Sequence, residues 1–166
     1  METRIRLFGH AVHQALVHFP IGILCGSAAF DVVWLFTRDS TWPTISYYMI
    51  VAGVISGVVA SIAGILDYLE IPSHTRARSV GLTHALTSGC ALAVFALDWY
   101  VRAGAGHIPG ILALTLSLVG VAIVSVAGWF GGELVTRHGI GVSDDAGLNA
   151  RSSLSITQTV EPRDDA

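Results

Sequence analysis

Across 166 residues the chain is 52% hydrophobic and 13% charged, with a mean hydropathy of +0.64, a balance that excludes an ordinary soluble domain and fits a membrane protein. The net charge is −3 and all nine basic residues are arginines scattered near the ends of apolar runs, so the basic patch that nucleic acid requires is missing. Cys25 and Cys90 lie inside apolar runs without Cys-x-x-Cys spacing, which excludes a cysteine zinc site and covalent c-type haem attachment and leaves them as small packing residues.

Four apolar runs follow one another. The first extends from about Ala15 to Thr37, the second from about Ile45 to Leu69, the third from about Leu82 to Val101 and the fourth from about Ile108 to Val135; each approaches the roughly 20 residues that cross a bilayer as a helix. Arg4 and Arg6 precede the first run without a small-residue cleavage site, so it reads as a span rather than a cleaved signal peptide. Pro43, Pro72 and Pro109 fall at or just outside the expected helix ends, where a missing N–H costs least. Loops this short make neighbouring helices antiparallel, and the expected fold is an all-α, four-transmembrane-helix antiparallel bundle over residues 1–141. From about Ser143 the chain turns polar, and residues 142–166 are expected to form a disordered tail.

Arginines orient the bundle. Arg4, Arg6, Arg76, Arg78 and Arg137 collect on one face against Arg38 and Arg102 on the other, so the positive-inside rule places both termini in the cytoplasm of a multi-pass inner-membrane protein. Gly53, Gly57, Ser61 and Gly64 form a small-residue series on the second span, and Gly120 and Gly128 repeat it less regularly on the fourth. Such series let helices pack closely, or clear room for a flat cofactor.

Six of the seven histidines fall on the arginine-rich face: His10, His13, His18, His74, His84 and His138, with His107 alone on the other. Imidazole in hydrocarbon needs a partner, so a one-sided cluster marks a site. His10 and His13 share a helix face by i, i+3 spacing, and Pro20 cannot donate to the carbonyl of Leu16, which bends the helix or delays its start near His18. His18 and His84 are expected at matched depth on diagonal helices, the arrangement that bis-histidine ligation of haem b needs, with Arg76, Arg78 and Arg137 above them for the propionates. The competing expectation is that each histidine merely hydrogen-bonds to a neighbouring helix, in a cofactor-free membrane anchor. A third is a divalent-metal or transport site built from His18, His84, Asp67, Glu70 and Glu133.

Charged pairs complete the pattern. Glu133 and Arg137 are spaced for an intrahelical ion pair, as are Asp98 and Arg102; Asp31, about two turns inside the first span, is expected to pair with Arg102 across the bundle or to carry a proton. Trp129 and Tyr68 on one side, and Trp42 and Trp99 on the other, suit interfacial aromatic belts. No nucleophile triad or phosphate loop is present, and stand-alone catalysis is not expected.

Four segments, Gly9–Gly22 with its His-x-x-His-x-x-Leu-Val-His-Phe-Pro core, Gly64–Pro72, Arg78–His84 and Gly131–Gly139, resemble the bacterial membrane family of domain of unknown function 2231. The family often shows His-Pro where this chain has His10-Ala11 and His13-Gln14, which directs the site expectation to His18 and His84. Relatives resembling this domain occur fused to Rieske or c-type cytochrome modules, so the resemblance implies a redox-complex subunit with a quinone, cytochrome or Rieske-type partner beside the lipid bilayer, and leaves a homo-oligomer open. Extracytoplasmic redox modules would invert the topology inferred from arginines.

Overall fold

The computed structural model describes residues 5–153. A two-stranded antiparallel hairpin comes first, β1 (Arg6–Leu7) and β2 (His10–Ala11), and leads into a short helix α1 (Val12–Leu16). Four long helices follow: α2 (His18–Thr37), α3 (Thr41–Glu70), α4 (Arg76–Ala103) and α5 (Ile111–Thr136). The segments Val12–Thr37, Thr41–Glu70, Arg76–Ala103 and Ile111–Thr136 are each long and apolar enough to cross a membrane, as expected. Thirty residues of helix extend about 45 Å, so α3 outruns the roughly 30 Å of hydrocarbon and its ends reach the interface or the helix tilts.

Local chemistry sets the boundaries. The helical ladder is interrupted at Val17, between α1 and α2, because Pro20 has no N–H for the Leu16 carbonyl; Ile21 resumes it by donating to Val17. Arg38 ends α2 in the left-handed conformation at φ 57°. The third span starts earlier than its apolar run suggests, at Arg76, since the Thr75 hydroxyl accepts from the Arg78 N–H as an N-cap. The fourth starts later, at Ile111, after Pro109 and an extended Gly110.

α2 packs chiefly on α3 and α4 on α5, and these two hairpins close into an antiparallel bundle in which α2 and α4 are diagonal. Its core contains Leu24, Ile50, Val54, Ala91, Phe95 and Val124. The outer surface is apolar, with Phe36, Tyr100, Ile111 and Trp129 among its most exposed large side chains, as a lipid-facing surface requires.

The two hairpins repeat one design. Asp31 and Asp98, Gly53 and Gly120, Ala60 and Ala127, and Gly64 and Gly131 each stand 67 residues apart. The two glycines are covered alike, though by residues 71 apart: Leu24 lies over Gly53, and Phe95 over Gly120, each where a Cβ would clash. Glycine is needed there because its missing side chain is the space the large apolar residue occupies.

Both ends of the described chain meet at one end of the bundle, where Arg6 donates to the Ser143 hydroxyl (2.5 Å) and Gln14 to the Ile140 carbonyl (3.0 Å). Beyond α5, residues 142–153 contain neither helix nor strand, and Ser153 lies 3.3 Å from the His10 ring nitrogen. The remainder of the expected tail, residues 154–166, lies outside the described residues, as does Arg4.

Candidate functional site

Two polar centres occupy opposite ends of the bundle. At the end that holds the termini, α1 presents His13 to α3, and α4 presents His84 to α5. Nδ1 of His13 donates to the Ala60 carbonyl at 2.9 Å, and Nδ1 of His84 donates to the Ala127 carbonyl, also at 2.9 Å. A glycine one turn beyond each acceptor makes room for the ring. A Cβ on Gly64 would stand 2.6 Å from Cε1 of His13, and one on Gly131 would stand 3.1 Å from Cε1 of His84. The same contact is therefore built twice, on Ala60 with Gly64 and on Ala127 with Gly131. The two half-buried imidazoles face each other edge-on, with ring centroids 6.2 Å apart and planes at 75°.

The neighbour of His84 is thus His13, not His18. His18 is the first residue of α2, exposed, with Nδ1 3.4 Å from the Ala15 carbonyl one turn back. Five residues apart, His13 and His18 point about 140° apart around the helix, so the turn that sets His13 against α3 carries His18 away from it. His10 and His74 are exposed, His74 in the loop at φ 64°. His138 is half-buried, and its Nε2 is enclosed without a hydrogen-bond partner.

The expected cations and carboxylates divide. Arg78 donates from Nη1 to the Ile71 carbonyl (2.6 Å) and lies 4.6 Å over the Tyr68 ring, so it closes the C-terminus of α3. Arg76 and Arg137 are exposed and line a surface groove of about 510 Å³ with Glu133, Thr136 and His138. Arg76 also borders a second groove, of about 610 Å³, beside His74, Ser79 and Leu82. The intrahelical pair expected between Glu133 and Arg137 is not among the ion pairs of the described residues, although the Arg137 N–H still donates to the Glu133 carbonyl at 2.9 Å. Asp67 is buried on α3. Among the described residues no three His, Cys, Asp or Glu side chains form a set that could hold a metal ion, so His18, His84, Asp67 and Glu133 do not converge on one.

At the other end a single guanidinium joins all four long helices. Arg102 on α4 donates from Nη1 and Nη2 to the two oxygens of Asp31 on α2, at 2.8 and 2.5 Å, and from Nε to Asp98 Oδ1 at 2.8 Å. Nη1 also reaches Ser46 on α3 at 3.3 Å, and Nη2 reaches Ser117 on α5 at 2.9 Å. None of these five residues is more than 2% exposed. Both expected pairings of Arg102 are therefore present, and the two serines, which the sequence did not single out, complete its donors. On the same side His107 stacks on Tyr47 at 3.9 Å, and Trp99 donates to the Tyr47 hydroxyl.

No curated protein and no solved structure is detectably similar to the chain. A family model does match, over residues 9–144, which contain both polar centres and all four spans. The chain belongs to the family described as predicted membrane protein (DUF2231).

Proposed function

We propose that the chain is a membrane-embedded electron-transfer subunit that holds a b-type haem between His13 and His84. The paired imidazole geometry carries this reading. A backbone acceptor on Nδ1 fixes the tautomer, leaves the lone pair on Nε2 and raises its basicity, as the outer partners of metal-ligating histidines do. Two imidazoles sharing one metal through bonds of about 2.0–2.1 Å have ring centroids roughly 6 Å apart, close to the 6.2 Å between these rings. A haem suits the pair better than a bare divalent ion, because the porphyrin brings its own four nitrogens and no third protein donor joins the imidazoles among the described residues.

Bound haem would supply one-electron chemistry. The chain would orient both imidazoles through Ala60 and Ala127, shield them with apolar spans, and offer Arg76 and Arg137 to the propionates, since Arg78 is committed to α3. A quinone, or a cytochrome or Rieske-type protein, would be the exchange partner. The arginine asymmetry supports placing the histidine end, with both termini, on the cytoplasmic side of the inner membrane.

The test is an absorption spectrum of the protein purified from haem-replete cells. A sharp reduced α-band that disappears in His13→Ala and in His84→Ala supports the reading; a colourless protein overturns it. A second reading, a cofactor-free anchor, draws on the Arg102 cluster, which ties four helices through one guanidinium. It predicts that colourless protein.

A further inference from the structure

The Arg102 cluster holds two carboxyl groups against one cation, all buried within the span, and the hydrogen-bond inventory around Ser117 decides how that imbalance is met. Ser117 Oγ has three close neighbours: Arg102 Nη2 at 2.9 Å, Asp98 Oδ2 at 2.7 Å and Asp31 Oδ2 at 3.1 Å. A hydroxyl offers one proton and two lone pairs. Arg102 takes one lone pair and the Ser117 proton goes to one carboxylate. The remaining contact joins two acceptors unless the other carboxyl carries a proton of its own. With that proton in place no contact of Ser117 joins two acceptors, and the cluster is neutral where a net charge would be most costly.

We propose that Asp31 and Asp98 together bind one proton, held on Asp98 Oδ2 and passed toward Asp31 through Ser117. The distances choose the side. Arg102 grips both carboxyls through two donors, but Asp31 more closely, at 2.8 and 2.5 Å against 2.8 and 3.2 Å for Asp98, and the 2.7 Å from Asp98 Oδ2 to Ser117 is the usual length for an O–H donor. The Asp98 proton is donated to Ser117 Oγ while the Ser117 proton is donated to Asp31 Oδ2. Shifting both along the chain leaves the proton on Asp31, with charge and atoms conserved. The groups facing this proton are Asp31 from α2, Ser46 from α3, Asp98 and Arg102 from α4, and Ser117 from α5. The two carboxyls are the 67-residue repeat equivalents, whereas the position equivalent to Arg102 is Leu35. Two acids therefore face one base, and the site suits a proton as well as an ion pair.

Infrared difference spectroscopy of the full chain in lipid, after exchange into deuterated water, reads this directly. A carboxylic-acid carbonyl band at neutral pH is expected, lost in Asp98→Asn and also in Asp31→Asn, since either change leaves one carboxylate for one arginine. Asp98→Glu should retain an acid band at a displaced frequency, which keeps the test open if an asparagine variant does not fold. Absence of an acid band from the wild-type protein, or its survival in both folded asparagine variants, would overturn the proposal.

Discussion

The two ends of the bundle solve the cost of buried polarity in opposite ways. At the Arg102 end the guanidinium, two carboxyls and two hydroxyls satisfy one another, all within 2% exposure. At the histidine end His13 and His84 use only one nitrogen each on the protein, and Nε2 of His138 is enclosed with no partner. A closed network stabilises and fixes helix register; a ring nitrogen with no protein partner is what a ligand would complete. The difference separates the end that holds the fold together from the end proposed to do chemistry.

The contrast breaks most forcefully at Arg102. Arg102→Gln leaves the buried Asp31 carboxylate without its cation, and a loss of about 3–5 kcal/mol is expected, seen as a large fall in the thermal midpoint in detergent. An unchanged midpoint would mean that the cluster does not tie the helices. His84→Ala and His13→Ala should each cost about 1–3 kcal/mol through a lost buried hydrogen bond, yet abolish all cofactor absorbance. If absorbance falls only in proportion to stability, the histidine end is as structural as the other.

Gly64→Ala sharpens the comparison within the histidine end. Its Cβ would meet His13 at 2.6 Å, against 3.1 Å for Gly131→Ala and His84, so the first must displace its ring while the second asks for a few tenths of an ångström. We expect about 1–3 kcal/mol and most of the bound cofactor to be lost in Gly64→Ala, and a smaller loss in Gly131→Ala, compared by denaturation midpoint and pigment content. His18→Ala, on an exposed side chain, should stay within about 0.5 kcal/mol of wild type and keep its cofactor.

Much of this was legible without coordinates, for reasons that differ by residue. Helix number and antiparallel order follow from apolar runs of bilayer length. Asp31 and Arg102 were readable as partners because an isolated carboxylate inside a span demands a cation and few are available. Depth along the first span points to His18, yet the ring beside His84 is that of His13, about 140° around the helix from His18, an angle the five-residue spacing already contains. The expected Glu133–Arg137 pair is missing among the described residues although the Arg137 N–H keeps its bond to the Glu133 carbonyl, so i, i+4 register alone does not bring two side chains together. The glycine seats of the two imidazoles were visible in principle, through the 67-residue spacing that links Ala60 and Gly64 to Ala127 and Gly131, but a repeat this sparse acquires meaning only once the rings are seen resting on it.

The most direct measurement is the reduced-minus-oxidised absorption spectrum of the purified wild-type protein beside His13→Ala, His84→Ala and His18→Ala at matched protein concentration. The haem assignment predicts a bis-histidine α-band in wild type and His18→Ala and none in the other two. A band lost on changing His18 but kept on changing His13, or no band in any of the four proteins, would contradict it.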